Sequence, residues 1–347
     1  MEEKERHALR DLKRYVSITE KKAIVLGNLV SCDGHEEGIS IRVVTHVHQD
    51  HVISIGRSLS RCRLTISTKP TRDLLGVLYN VRPYRVLGLD YRKALDIQGS
   101  KLWLEKANHI IGACQVVLDH ADGLRIVYTG DFKQPGTPVV DADILVMEAT
   151  YGSPSLVRPS QEVIYHALLD VVRKSLSKGP VYIYGYHGKL QEAMQLLTEA
   201  GIEAPFTAPL RVYRVSQICL RYGMRLKAPI LIESEEGREI MKSGWYVAFL
   251  HSSSGYTSRP RGTSIILSGW EFSGPIRFLG ENRYIVALSD HADFKQLIEY
   301  VESSRPRLVI TDNSREGYAA KLAKEIEKRL KIKATPMPPV RMRRWAR

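Results

Sequence analysis

Cysteine is scarce and scattered in this 347-residue chain. Its four cysteines, Cys32, Cys62, Cys114 and Cys219, form no CxxC pair. That argues against a disulfide framework and against a thiolate zinc knuckle, so any metal must be held by histidine and carboxylate. Long apolar runs are missing too: no stretch approaches the roughly 18 residues that a membrane span needs, and no membrane partner is expected. The opening segment, MEEKERHALRDLKRYV, is charged throughout and lacks the apolar core of a signal peptide. A soluble, cytoplasmic protein is the plain expectation. No internal repeat is visible.

Acidic residues are in deficit. Against 51 lysines and arginines stand 38 aspartates and glutamates, a formal net charge of +13. Such an excess favours polyanionic partners, because neutralising phosphates releases counterions without regard to base sequence. The excess is uneven: the last seven residues, RMRRWAR, carry four arginines and Trp345. That tail is suited to clamping a phosphate backbone with Trp345 stacked on a base, or it is a frayed terminus.

Short apolar runs recur between residues 23 and 147: AIVLGNLV, IRVVTH, RLTIS, YRVLGL, KLWLEKA, QVVLDH, LRIVYTG and DILVMEAT. They predict strands separated by turns, with one helix at TRDLLGVLY. The texture changes after YGSPSLVRPS. Residues 160 to 178 carry apolar positions at helical spacing, with Ser160 as N-cap and Gly179 as a stop. Strand and helix then alternate to about residue 330, the pattern of an α/β unit with a partly parallel sheet.

Chemistry concentrates in THVHQDHV, residues 45 to 52. His46 and His48 point to one side of a chain leaving a strand, and Asp50 and His51 follow within a turn. Imidazole with carboxylate suits zinc, and also manganese or iron. One loop cannot close a coordination sphere, so further ligands are needed. His109 in ANHIIGACQVVL and Asp131 in IVYTGDF sit at strand ends and are the candidates, although each alone reads as an ordinary surface or turn residue.

Together these segments resemble the metallo-β-lactamase family. THVHQDH looks like its TH-x-H-x-DH motif, NHIIGA its (G/A)H-x-x-G motif and YTGDF its (S/T)GD motif. Cys32-Asp33-Gly34 resembles the DxG element whose aspartate orients the metal loop. The resemblance implies an αββα sandwich and two divalent ions, zinc first and manganese second. It assigns His46, His48 and His109 to one ion and Asp50 and His51 to the other, with Asp131 bridging.

An α/β insertion narrows the resemblance to nucleases of the β-CASP group. Glu148 in LVMEATYG, GKLQE at 188 to 192, and LSDHADF at 288 to 294 are similar to that group's segments. The implied fold is a metallo-β-lactamase sandwich, residues 1–154 and 285–335, with a β-CASP α/β lobe inserted at 155–284 and a basic tail at 336–347. The implied catalytic residues are Asp50, Asp131, Glu148 and His291, with His291 as the acid that protonates the leaving oxygen and Glu148 stabilising its imidazolium.

Within the group the chain looks most like the short ligase-associated DNA exonucleases, or mRNA 3′-end processing factor-like proteins. Single-stranded DNA is therefore expected as substrate ahead of RNA, with any helicase or ligase partner unidentified. An RNA-processing ribonuclease with the same site is the alternative, as is a non-catalytic nucleic-acid-binding subunit with a weakened second metal site. One departure bears on that last reading. Where the family commonly ends a strand with V-x-H-G, this chain has RLVITDNSR, so Asp312 stands where a histidine ligand is expected. Asp312 is expected either to ligate a harder ion such as manganese, or to mark a weakened site.

Overall fold

The computed structural model describes residues 11–254 and 261–339; the arginine-rich tail with Trp345 lies outside them. The described residues divide into two compact units. The first takes the chain up to Leu75, then Val81–Leu156, and resumes at His291; the second takes Gly76–Asn80 and Val157–Asp290.

The first unit is built on two sheets. One holds β1 (Val16–Ile18), β2 (Ile24–Leu26), β3 (Val30–Cys32), β4 (Ile41–Val43), β5 (Leu64–Thr68) and β6 (Leu87–Leu89) in that spatial order. The other holds β7 (Leu95–Ile97), β8 (Ser100–Lys106), β9 (Cys114–Asp119), β10 (Arg125–Tyr128) and β11 (Ile144–Met147). It is completed by two late strands: Leu308–Asp312 lies parallel beside β11, and Lys333–Met337 lies parallel on its far side. Alternate residues of both sheets form one core: Ile24 and Leu26, Ile41 and Val43, Leu102 and Leu104, Val116 and Leu118, Ile126 and Tyr128, Ile144 and Val146, Leu308 and Ile310. The period of two follows from the pleat, which sends successive side chains to opposite faces. The other faces are covered by helices. Helix α1 (Ile55–Arg61) packs on β5, and a late helix, Ala319–Leu330, packs on the two late strands. The result is the expected αββα sandwich.

One run departs from expectation. AIVLGNLV, read as a single strand, folds as the β2–β3 hairpin. Gly27 and Asn28 adopt φ of 58° and 54°, and Leu29 N donates to Leu26 O at 3.0 Å. Two consecutive left-handed residues make the tight turn whose twist matches antiparallel strands.

The second unit has one sheet. Its strands are β12 (Val181–Gly185), β13 (Phe206–Ala208), β14 (Ile230–Leu231), β15 (Val247–His251), β16 (Thr263–Leu267), β17 (Ile276–Gly280) and β18 (Arg283–Val286), in the spatial order β14-β13-β15-β12-β16-β18-β17. All pairings are parallel except the antiparallel edge strand β17. The helix after residue 160 runs Gln161–Leu176, capped by Ser160, which accepts from Val163 N at 3.5 Å. It buries Ile164, Leu168, Val171, Val172 and Ser175, the spacing read from its sequence. A later helix, Glu235–Ser243, was not legible in advance, because EEGREIMKS buries only Gly237 and carries almost no apolar signal.

Candidate metal centre

The first unit gathers the predicted ligands beyond the ends of β4, β9 and β10. β4 ends at Val43, and the next residues are tied on both sides. Val44 N donates to Ile66 O at 2.8 Å and Cys114 N donates to Thr45 O at 3.1 Å. The chain then turns through a short 3-10 segment, Gln49–His51. Asp33, fully buried, holds this loop. Its Oδ1 accepts from Thr45 N at 2.8 Å; its Oδ2 accepts from Thr45 Oγ1 at 2.7 Å, from His51 Nδ1 at 2.8 Å and from Tyr128 Oη at 3.0 Å. By accepting a hydrogen bond from Nδ1–H, Asp33 favours the tautomer that leaves His51 Nε2 as a lone-pair donor. Arg42 braces the same loop from beneath, donating to His51 O at 3.2 Å and Ile53 O at 2.9 Å. Burial brings its guanidinium down to about 10, against the pull of Asp33.

The side chains converge in three groups able to hold a cation: His46 with His48 and His109, His46 with His51 and Asp131, and His109 with Asp131 and His291. His48 Nδ1 lies 2.9 Å from His109 Nε2. Asp131 Oδ2 lies 3.0 Å from His51 Nε2, 3.5 Å from His46 Nε2 and 3.9 Å from His109 Nε2. Asp131 reaches this point because Gly130 turns the chain at φ 57°, where an added Cβ would stand 2.8 Å from Cys114 O.

The donor set fits a divalent metal. His46 Nε2 and His51 Nε2 are buried and make no hydrogen bond, although both face Asp131. Buried imidazole nitrogens left in this way are costly, and a cation satisfies them. Burial, with His51 and His109 nearby, pushes His46 well below the usual histidine value, so it stays neutral as a ligand must. Burial opposes charge on His51 and on Asp131, yet each outweighs it for the other: the carboxylates raise His51, while His51 and then His291 lower Asp131.

Glu148 and His291 form a pair beside the cluster. His291 Nδ1 lies 2.9 Å from Glu148 Oε2 and 3.3 Å from Thr150 Oγ1, while Glu148 Oε1 accepts from Phe132 N at 2.9 Å. Burial raises Glu148 above the usual carboxylate range against the opposing effect of His291. The rings of His291 and His109 are 4.9 Å apart.

Two predicted residues stand differently. Asp50 Oδ2 is 3.4 Å from His51 Nε2 but joins none of the three groups. Asp312 joins none either, and both its oxygens are engaged: Oδ1 accepts from Ser314 N at 2.8 Å and Oγ at 2.6 Å, and Oδ2 pairs with Arg315 Nη1 at 2.5 Å. Arg315, with only 8% of its side chain exposed, was not singled out from the sequence. No local signal marked it, since an arginine in NSREG reads as a solvated turn residue. In the second unit, His187 and His251, at the ends of β12 and β15, lie with ring centroids 4.6 Å apart and planes tilted by 40°.

No family model matches the chain. It is 39% identical over 140 residues to the "uncharacterized protein in lig 3′ region" of Acidianus ambivalens, an alignment covering 40% of this chain and all of that protein. It is 24% identical to a probable DNA ligase of Opitutus terrae, over 65% of this chain and 22% of the ligase. It is also 24% identical to an RNase J-like protein of Methanocaldococcus jannaschii, over 43% of this chain and 42% of the relative. The chain thus spans less than half the length of the latter two. In fold it is similar to a crystal structure of a protein of unknown function from Enterococcus faecalis V583, with a TM-score of 0.57 at 12% identity over 87% of this chain and 81% of that one.

Proposed function

We propose that this chain, which belongs to the β-CASP group of metallo-β-lactamase-fold nucleases, hydrolytic enzymes of nucleic acid, is a metal-dependent exonuclease of single-stranded DNA. The observation that carries the reading is the histidine–aspartate cluster lying beside the Glu148–His291 pair, which supports a metal site with a proton donor next to it. His46, His48 and His109 would hold one ion, zinc by donor type, and His51, Asp50 and Asp131 a second. When bound, such ions lower the pKa of water and neutralise charge growing on phosphoryl oxygens.

The protein's own groups supply the rest. Asp33 keeps His51 in the ligating tautomer. Glu148 accepts from His291 Nδ1, which orients the ring and favours its protonated form, so the other nitrogen delivers a proton to the departing 3′ or 5′ oxygen. The net charge of +13 supports a polyanionic substrate. DNA is favoured by the two relatives whose names place them with a ligase, and the same relatives support a DNA ligase as partner in end processing.

The RNase J-like relative favours RNA as the second reading. End-labelled strands of matched DNA and RNA sequence, with zinc, manganese or chelator, test both. Single-stranded DNA is expected to be degraded from an end at least about tenfold faster than RNA, since the 2′-hydroxyl is the feature that separates them, and chelator is expected to abolish both. Equal or faster RNA cleavage would refute the DNA assignment, and undiminished cleavage by Asp131→Ala would refute the mechanism.

A further inference from the structure

The second group of donors sits beside a buried cation of the protein's own. Arg315 Nη1 lies 2.5 Å from Asp312 Oδ2, and Nε lies 3.7 Å from Asp50 Oδ2. Its Nη2 donates to Asp50 O at 3.3 Å and to Lys22 O at 3.4 Å. Nε is buried and makes no hydrogen bond, so that edge of the fork faces Asp50 through charge alone. Two of the three carboxylates that the family resemblance offers to a second ion, Asp50 and Asp312, are therefore turned toward one guanidinium.

That guanidinium is a permanent charge. Burial opposes it, but Tyr128, Asp312, Asp33 and Asp131 outweigh burial and hold Arg315 above the usual arginine range. A planar fork of this kind matches a carboxylate edge and does not lose its proton. A divalent ion entering between His51, Asp50 and Asp131 meets this fixed positive charge a few ångströms away, in a setting where salt screens poorly.

We infer that Arg315 is a resident cation at the second metal position, so that the chain binds one divalent ion tightly through His46, His48 and His109 and a second only weakly. Asp312 then serves as the anchor of Arg315 and not as a ligand. The inference rests on the metal-centre reading above, and it accounts for Asp312 standing outside the three donor groups. Asp50, released from strong ligation, is held in place by the same arginine.

Equilibrium zinc binding tests this without any cleavage assay. Chelator-stripped full-length protein is dialysed against graded Zn²⁺, and bound zinc per chain is counted by plasma mass spectrometry. Wild type is expected to fill one site and to take a second ion only at far higher zinc. Arg315→Gln is expected to tighten the second site about tenfold or more, the direction that removing a like charge from a low-dielectric setting requires. Arg315→Lys, which keeps the charge, is expected to stay near wild type. Two ions of equal affinity in wild type overturn the inference, and that measurement stands even where the glutamine variant does not fold. An unchanged second site in a folded Arg315→Gln protein overturns it as well. A chain that binds no zinc at any concentration overturns the metal-centre reading along with it, whereas tight binding of one ion with no nuclease activity leaves the inference standing and overturns only the proposed activity.

Discussion

Replacing Asp33 with asparagine isolates the charge that organises the metal loop. Asp33 sits at φ 57°, a left-handed conformation that asparagine tolerates as readily as aspartate, so the backbone has no reason to move. The carboxylate accepts four hydrogen bonds, three of them on Oδ2. An asparagine keeps those three only by placing its oxygen there, which turns its NH₂ against Thr45 N. One buried donor pair then goes unmade, a loss of about 1–3 kcal/mol, and each remaining bond loses its charge assistance, about 1 kcal/mol apiece. Relief of the buried charge offsets part of this, leaving a destabilisation of about 3 kcal/mol. The sharper readout is zinc affinity. His51 keeps a neutral amide oxygen in place of the carboxylate that raises its basicity, and charged partners of this kind are worth roughly 10–100-fold in metal binding. Competition with a chromogenic chelator measures that affinity directly. A folded Asp33→Asn protein that binds zinc within about threefold of wild type would refute the orienting role.

Three further outcomes are expected. Glu148→Gln and His291→Ala should each lower the cleavage rate by about 10²–10⁴-fold, measured under single-turnover conditions, while zinc content at the His46, His48 and His109 site is kept; loss of zinc in step with activity would argue for a structural role. Gly34→Ala should destabilise the first unit by about 3 kcal/mol in chelator-treated denaturant titrations, because its Cβ would stand 2.4 Å from Ala23 N, which is backbone and cannot yield; a change near zero would refute this. Lys189→Met breaks the 2.8 Å pair with Asp290, both nearly fully buried in the second unit. It should cost about 3–5 kcal/mol, the scale for removing one partner of a buried ion pair, and a neutral result in thermal denaturation would refute a stabilising role for the pair.

How far the site could be read in advance depended on how its residues are spaced along the chain. THVHQDH was legible because a strand end brings residues two apart to one side, so sequence spacing translates directly into geometry. Core strands such as LRIVYTG and DILVMEAT were legible for the same reason, their apolar runs being bounded by turn residues. The β2–β3 hairpin was not, since AIVLGNLV is apolar on both sides of its turn and periodicity sees no break. Helix Glu235–Ser243 was missed because its short, mostly charged sequence offers only Ile240 and Met241 as large apolar side chains, too few to show a repeat. Trp345 and its neighbouring arginines lie outside the described residues and remain an expectation.

From the sequence alone came the family resemblance, the identity of the candidate donors, and the oddity of Asp312. Tertiary structure decided what Asp312 faces. Arg315 is three positions away in a loop, where spacing carries no direction, and its charge matters only because folding buries it beside two carboxylates. In water the same arginine would be one more of the 51 basic residues. Enclosed next to a candidate metal position, with the effective dielectric lowered, it becomes a fixed positive charge that a second ion would meet.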